Sequence, residues 1–224
     1  MISFFIPIRK NSKRIKNKNY IRVNKYKYGL TEIKIKQFRK LKKILEKKKI
    51  IAEFVVSTDC SVIKNYLKKF KWIKVNNRPK SLSGDDCIDK LISFVPKICK
   101  YKYILWTHVT SPLFDEINYI TFIKIFFNNL NKYTSAFSAD KISTFVINSK
   151  GLWISHNFRR KKWPRSQDIK PLYAVNNAAF INLRLNYLKF NDRISSKPLP
   201  IITPKRSSLD IDYPEDMRYL KQVI

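Results

Sequence analysis

The chain has 224 residues, of which 44% are hydrophobic, so it can bury the core of one folded α/β domain and is not a disordered chain. Its 47 Lys and Arg against 16 Asp and Glu give a formal net charge of +31, which favours an anionic partner such as nucleic acid, a membrane surface or a phosphorylated ligand. This charge is spread over every segment, as a codon-usage bias would also produce, and no zinc-finger spacing, RNA-binding aromatic signature or basic-zipper heptad accompanies it.

The first predicted element is a buried strand over residues 2–8, an apolar run that leads directly into a polar loop. Cations and small polar side chains crowd this loop: Arg9, Asn11, Ser12, Lys13, Arg14, Lys18 and Asn19. Backbone N–H groups and such side chains can hold phosphate oxygens at the end of a strand. A Lys-rich loop can also simply be solvated, and the residues alone leave both interpretations open.

The following segments alternate between strand and helix patterns. Thr31 is a candidate N-cap for a cationic helix that runs to about residue 49, and an apolar run at 50–56 predicts the second strand. The other predicted elements are strands at 72–75, 101–106, 134–139 and 174–181, and helices at 61–70, 87–99, from 115 and from 214. The repeated order of strand, turn and helix predicts an α/β fold with a mostly parallel central sheet.

The strand at 101–106 ends in a polar turn that includes His108, Thr110 and Ser111. Ligands of open α/β sheets bind beyond the carboxyl ends of the strands, so this turn and the first loop should face one crevice. A neutral imidazole can donate one hydrogen bond and accept one. A lone histidine is more often structural than catalytic, and we assign no base chemistry to His108.

Residues 140–171 mix cations with aromatic side chains and keep neither a helical nor a strand period. Exposed aromatic residues beside cations suit a protein interface, and they also suit single-stranded nucleic acid.

Near the end of the chain, Asp210 and Asp212 share one face of an extended segment, where a divalent cation would relieve their repulsion. Asp212 can alternatively cap the closing helix, which leaves Asp210 unexplained.

Cysteine usage and hydropathy indicate the compartment. Cys60, Cys87 and Cys99 are odd in number and lack Cys-x-x-Cys spacing, so we expect neither a disulfide framework nor a zinc site. No basic leader precedes the first apolar run, and no run approaches the ~20 residues of a membrane span. We expect a cytoplasmic protein.

Five separated signatures resemble, in the same order, those of the acylneuraminate cytidylyltransferases (CMP-sialic acid synthetases). They are Pro7-Ile8-Arg9-Lys10-Asn11-Ser12-Lys13 with Lys18-Asn19, then Arg78 with Asp85, Thr110-Ser111-Pro112-Leu113, Arg165-Ser166-Gln167-Asp168 with Asn176-Asn177-Ala178, and Asp210-Ile211-Asp212. Lys10, Asn11 and Asn177 stand where the family usually has glycine, and Asn tolerates the left-handed backbone region that glycine often occupies.

The resemblance implies a three-layer, Rossmann-like nucleotidyltransferase fold (GT-A-like) formed by a single domain, 1–224. Residues 140–171 would be an arm that projects from the domain, packs against a second subunit of a homodimer and helps close the sugar site. The implied reaction joins CTP to an acidic keto sugar of eight or nine carbons, sialic acid or a related nonulosonic acid, and gives a CMP-sugar and pyrophosphate. Such products belong to nucleotide-sugar biosynthesis for lipopolysaccharide or capsule glycans.

The resemblance also implies roles for individual residues. The implied nucleotide-binding residues are Arg9, Asn11, Ser12, Lys13, Lys18, Asn19, Arg78 and Asp85. The implied sugar-binding residues are His108, in place of the family's Gln, with Thr110, Ser111, Lys141, Arg165, Gln167 and Tyr173. Asp210 and Asp212 would hold Mg²⁺ or Mn²⁺, and Asp212, Lys18 and Arg9 would act in catalysis.

A second class of function stays open at the level of sequence. The excess of cations and the loss of the loop glycines also fit a basic nucleic-acid-binding protein, or a turnover-deficient member of the family, on a nucleotidyltransferase-like scaffold. Nucleic-acid binding without a recognisable motif would be nonspecific. Release of pyrophosphate from CTP in the presence of an acidic sugar separates the two classes.

Overall fold

A mixed sheet of seven strands organises the part of the chain that the computed structural model describes, residues 1–84 and 87–224. The strands are β1 (Ile2–Ile8), β2 (Ala52–Thr58), β3 (Ile73–Asn77), β4 (Tyr103–Thr107), β5 (Ser135–Ile142), β6 (Leu172–Leu183) and β7 (Pro198–Ile202). Their order across the sheet is β3-β2-β1-β4-β6-β5-β7. Neighbouring strands are parallel except where β6 pairs with β4 and β5, so the predicted mostly parallel α/β sheet is confirmed.

Helices cover both faces of the sheet and make three layers. They are α1 (Gly29–Lys47), α2 (Ser61–Leu67), α3 (Ile88–Ile98), α4 (Glu116–Phe127), α5 (Arg184–Phe190) and α6 (Pro214–Val223). Phe4 of β1 belongs to one core with α1, α2, α4 and α6, and its neighbour Phe5 belongs to a second core with α3 and α5. Alternate side chains of a buried parallel strand enter opposite layers in this way. In the described residues, no helix combines the length and the apolar run that a bilayer crossing needs.

Several predicted boundaries need correction. Thr31 is wrong as an N-cap: α1 begins at Gly29, and the Thr31 hydroxyl, inside the helix, donates to the Asn19 carbonyl at 2.6 Å. β5 continues to Ile142, beyond the end predicted for that strand at residue 139, and pairs there with Leu172 of β6, so residues 140–142 belong to the sheet. The sequence predicts neither α5 nor β7, and both are present in the structure.

A topological switch point lies between β1 and β4. After β1 the chain adds β2 and β3 on one side of that strand, and it then returns to place β4 on the other side. β1 pairs with β2 as far as Ile8 but with β4 only as far as Phe5. The carboxyl ends of β1 and β4 therefore diverge and leave a crevice, the position at which open α/β sheets bind ligands.

A buried lysine fixes the turn beyond β4. Lys34 of α1 is fully buried, and its ammonium donates to three acceptors. These are the carbonyls of Ser111 at 2.9 Å and Phe114 at 3.0 Å and the hydroxyl of Tyr119 at 3.1 Å. The Tyr119 hydroxyl lies 2.5 Å from Thr107 Oγ1, which donates to the Ala178 carbonyl at 2.6 Å. Because the Thr107 hydroxyl has one proton, the Tyr119 hydroxyl must donate to it, and the chain of donors runs from α1 through α4 to β4 and β6.

The free energy of unfolding should rise with pH because Lys34 is buried. Burial lowers the pKa of Lys34 to about 7, below its ordinary value, so between pH 7 and the unfolded pKa the unfolded chain binds more protons. We expect this group to add about 2 kcal/mol to the free energy of unfolding between pH 7 and 9. Urea unfolding of the wild type and of Lys34→Met at both pH values measures the difference.

Lys43→Met is the matched control, because Lys43 is exposed on the same helix. The control should keep the pH dependence of the wild type. Identical pH dependence in the wild type and Lys34→Met would contradict the assignment.

Candidate active site

A cavity of about 270 Å³ occupies the crevice between β1 and β4. Its wall combines apolar side chains, among them Pro7, Leu91 and Trp106, with a polar side. The polar side contains seven residues predicted from sequence: Arg9, Ser12, Lys18, Asn19, Arg78, His108 and Thr110. The structure thus brings predicted nucleotide-binding and sugar-binding residues from three segments of the chain into one wall.

The basic loop after β1 is held by a buried asparagine. Asn19 Nδ2 donates to the Arg9 carbonyl at 2.9 Å, and the Asn19 carbonyl accepts from the Thr31 backbone N–H at 2.9 Å. At the other end of the loop, the Lys10 N–H donates to Asp59 Oδ1 at 2.7 Å. These contacts shape the loop without glycine, since neither Lys10 nor Asn11 has a positive φ.

Asn177, the third residue that stands where the acylneuraminate cytidylyltransferases usually have glycine, behaves differently. Asn177, at the bulge of β6, has φ of 60° and therefore occupies the left-handed region. Asn is one of the few side chains that tolerate this region. At Asn177 an asparagine adopts the conformation that glycine favours, whereas Lys10 and Asn11 have no positive φ.

The acidic segment near the C-terminus meets the basic loop. The Ile211 N–H donates to the Thr110 carbonyl at 2.8 Å, and the buried Ile211 side chain joins the core. Lys18 Nζ donates to the Ile211 carbonyl at 2.5 Å and to Asp212 Oδ1 at 3.1 Å. Arg14 adds an ion pair with Asp212 Oδ2 at 3.3 Å. The two signatures that sequence places at opposite ends of the chain are in direct contact.

Asp212 does not cap the closing helix. The Asp216 carboxylate accepts from the N–H groups of Asp212 and Tyr213, at 2.8 and 2.7 Å, and so supplies the cap of α6. The Asp212 carboxylate is left to interact with the basic loop.

Asp210 is the more buried of the two acids. Its Oδ1 is buried without a hydrogen-bond partner among the described residues. Burial raises the pKa of the Asp210 carboxyl, the Thr110 side chain opposes the shift, and Asp212 adds to it. A buried acceptor without a donor, beside a second carboxylate, fits a Mg²⁺ site completed by water and phosphate oxygens. The described residues contain no cluster of three or more His, Cys, Asp or Glu that could hold a metal ion.

Two further groups in the wall have altered pKa values. Burial lowers the pKa of Arg78 to about 10, and its Nη2 donates to the Ser57 carbonyl at 2.8 Å. Burial, together with Arg193 and other cations, lowers the pKa of His108 to about 3, so the imidazole is neutral at physiological pH. His108 Nε2 accepts a hydrogen bond from the Trp106 indole at 2.9 Å.

The other predicted residues lie outside this wall. Lys141 and Tyr173 are cross-strand neighbours in the β5–β6 ribbon at the base of the arm, and both are exposed. Within the arm, Arg165 donates to both carboxylate oxygens of Asp168, and Gln167 is exposed. Four predicted residues remain: Ser111 is fully buried, Asn11 and Lys13 are exposed in the first loop, and Asp85 lies outside the described residues.

Sequence reasoning missed three residues of the site. Arg14 was grouped with the basic loop but not assigned to Asp212, which raises the pKa of its guanidinium. The strand predicted at 101–106 ends at Trp106 without assigning it a role in the site, although a residue two places before His108 on a strand shares its face. Arg193, which stacks on Trp106 with Cζ 5.1 Å from the ring centroid, carries no signal in the sequence.

The chain was compared with protein-family profiles, curated sequences and solved structures. A sequence profile of the protein family described as Cytidylyltransferase matches residues 3–160. No curated protein sequence matches the chain significantly.

Among solved structures, CMP:2-keto-3-deoxy-manno-octonic acid synthetase complexed with CTP is similar over 99% of this chain and 97% of its own, with TM-score 0.65 and 12% identity. The 4-diphosphocytidyl-2C-methyl-D-erythritol synthase of Anaerococcus prevotii DSM 20548 gives TM-score 0.64 and 16% identity over 99% and 96% of the two chains. HddC from Yersinia pseudotuberculosis gives TM-score 0.55 and 13% identity over 99% of each chain. At these identities the similarity concerns the fold.

Lys18 should stabilise the contact between the two ends of the chain. Its side chain is 12% exposed, and replacement by Met removes the donor from the Ile211 carbonyl. We expect Lys18→Met to lower the free energy of unfolding by about 1–2 kcal/mol. Urea unfolding measures the change, with Lys16→Met, an exposed position in the same loop, as the control. Equal midpoints for the two variants would contradict the structural role.

Proposed function

The chain belongs to the cytidylyltransferase family, and from this premise we propose that it transfers the cytidylyl group of CTP to an acidic keto sugar. The products would be a CMP-sugar and pyrophosphate. The main support is the contact of Lys18 with Asp212, because it places a cationic loop and a carboxylate pair at one crevice. A triphosphate bound with a divalent cation needs both kinds of group within reach.

An acidic acceptor is supported by the wall of the cavity. His108 and Thr110 line it together with Arg9, Lys18 and Arg78, so the whole polar side consists of hydrogen-bonding and cationic groups. A sugar that carries a carboxylate gains from such a wall, and a neutral sugar gains less. The Thr110-Ser111-Pro112-Leu113 and Asp210-Ile211-Asp212 signatures, shared with the acylneuraminate cytidylyltransferases, point to the same acceptor class.

In the proposed reaction a hydroxyl oxygen of the sugar bonds to the α-phosphorus of CTP, the bond to pyrophosphate breaks, and the hydroxyl proton is removed. Arg9, Lys13 and Lys18 would hold the leaving pyrophosphate, and Lys18 has a third proton left beside its bonds to Ile211 and Asp212. Positioning and charge neutralisation would carry most of the rate acceleration. Asp212 is the candidate for removing the hydroxyl proton.

Asp210 and Asp212 would hold Mg²⁺ or Mn²⁺. The unpaired, buried Oδ1 of Asp210 supports this assignment. When bound, the ion supplies positive charge that neutralises the phosphate oxygens as pyrophosphate leaves.

Pyrophosphate release tests the proposal directly. We expect release from CTP, and not from ATP, GTP or UTP, when an eight- or nine-carbon keto acid and Mg²⁺ are present. Because a similar fold occurs in a synthase with a diphosphocytidyl product, the panel includes a phosphorylated polyol. Release of pyrophosphate with the polyol but with no keto acid would contradict the proposal that the acceptor is a keto acid. No release with any acceptor, together with salt-sensitive binding to an arbitrary DNA duplex, would favour the nucleic-acid-binding alternative.

An Asp212→Asn variant gives that assay its control for the metal site. We expect it to remain folded and to lose metal-dependent product formation by about a hundredfold or more, the scale typical of a lost electrostatic group. Glu215→Gln replaces a nearby acid that is exposed and pairs with Arg218, so it should keep full activity. Full activity of Asp212→Asn would rule out its role.

We also propose that the arm forms a homodimer interface. Its exposed apolar side chains include Ile147, Leu152, Ile154 and Trp163, with exposed fractions of 53%, 60%, 51% and 65%. Burial of such side chains against a second subunit would be favourable. Aromatic contacts within the arm, such as Phe145 with Trp163 at 5.2 Å, give it internal order without a regular helix or sheet.

Sedimentation analysis should find a dimer that Leu152→Asp dissociates. The matched control is Leu185→Asp on α5, where the replaced side chain is 71% exposed but lies outside the arm. A wild-type monomer at all concentrations would contradict the interface, and so would equal dissociation by both variants.

A further inference from the structure

The hydrogen bond between Trp106 and His108 determines which nitrogen of the imidazole carries its proton. The indole Nε1–H is only a donor, and it lies 2.9 Å from His108 Nε2. Nε2 must therefore accept. A neutral imidazole has a single N–H, so the proton of His108 is on Nδ1.

The indole is held rigidly in this role. Trp106 is fully buried, and its ring packs edge-on against Phe5 with centroids 4.7 Å apart. The Arg193 guanidinium stacks on Trp106 and on Phe180, with Cζ 5.1 and 4.2 Å from the two ring centroids. Rotation of the indole away from His108 would disrupt these contacts, so the tautomer is fixed by the packing of β1, β4 and β6.

His108 also belongs to the wall of the cavity. His108 is half-buried and lines the cavity wall, and its Nδ1 has no hydrogen-bond partner within residues 1–84 and 87–224. Burial disfavours a positive charge on the ring, and repulsion from Arg193, Lys34, Arg78 and Lys18 adds to this effect. The imidazole consequently remains neutral and offers one N–H and no lone pair to a bound molecule.

We propose that Trp106 makes His108 a donor-only residue that determines specificity for the acceptor substrate. The ligand atom it selects is a hydrogen-bond acceptor, such as the carboxylate and carbonyl oxygens that a keto acid supplies. A ligand group that can only donate finds no lone pair here and is rejected. The identity of the substrate rests on the proposed function, whereas the tautomer does not. Gln, which stands at this place in the acylneuraminate cytidylyltransferases, offers both an N–H and a carbonyl, so it lacks this selectivity.

Nitrogen NMR of the free protein tests the tautomer without any turnover. The chain has only two histidines, and they should give opposite results. His156 Nε2 lies 3.0 Å from the Lys162 carbonyl, which only accepts, so His156 carries its proton on Nε2. Long-range ¹H–¹⁵N correlation at pH 7 should show one Nδ1–H and one Nε2–H imidazole, and His156→Gln should remove the second set of signals.

A Trp106→Phe variant extends the test. It removes the indole donor, so the His108 signals should move toward the Nε2–H tautomer. Two results would overturn the proposal: an Nε2–H tautomer or an imidazolium for His108 in the wild type at pH 7, or unchanged His108 nitrogen shifts in a folded Trp106→Phe. The wild-type spectrum decides the question even if Trp106→Phe does not fold.

Acceptor kinetics test the specificity. With a keto acid that supports pyrophosphate release, His108→Leu should raise KM for the acid about tenfold, the effect of one lost hydrogen bond, and leave KM for CTP unchanged. His108→Gln should restore most of the affinity and accept a wider range of acceptors. An unchanged KM for the acid in His108→Leu would overturn the role of His108. Failure of every keto acid would count against the proposed function, while the tautomer result would stand separately.

Discussion

One ammonium group joins the two ends of this chain. Lys18 belongs to the loop after the first strand, and its Nζ donates to the carbonyl of Ile211 and the carboxylate of Asp212, almost two hundred residues later. The Ile211 N–H donates a hydrogen bond to the carbonyl of Thr110, in the turn that follows β4. Loop, turn and acidic segment are therefore held at one point beside the crevice, and the candidate active site depends on that arrangement.

The surrounding charges give the two acids different environments. Asp212 is paired with two cations, while Asp210 has a buried oxygen without a donor in the described part of the chain. A buried carboxylate oxygen without a donor costs free energy unless a bound group supplies the missing partner. A buried chain of donors from Lys34 to Ala178 holds the same turn and the end of β4. Two separate sets of polar contacts therefore hold the turn beside the crevice.

The alternation of strands and helices could be predicted because buried parallel strands read as continuous apolar runs. β7 could not, since Pro198 and Pro200 argue against a strand. The structure places it at the edge of the sheet, where among the described strands it pairs with β5 alone and missing N–H groups are tolerated. α5 escaped prediction because it has only seven residues and leaves Leu185 and Leu188 exposed, so it lacks a regular apolar stripe.

For the site, the residue types were predictable and their contacts were not. Asn177 and Asn11 both stand where glycine is usual in the family that the sequence resembles. The structure gives a left-handed backbone to Asn177 but not to Asn11, and the sequence does not distinguish the two positions. The spacing of Asp210 and Asp212 indicated a shared face, yet the partners of Asp212 come from a loop that only the fold brings near. The tautomer of His108 likewise depends on the orientation of a neighbouring indole, which periodicity does not specify.

A crystal structure of the protein with CTP and Mg²⁺ tests the central claim most directly. The account predicts that the triphosphate lies between the loop that contains Arg9 and Lys18 and the segment that contains Asp210 and Asp212. A nucleotide bound elsewhere on the molecule, or phosphates that contact the basic loop while both carboxylates remain remote from them, would contradict it.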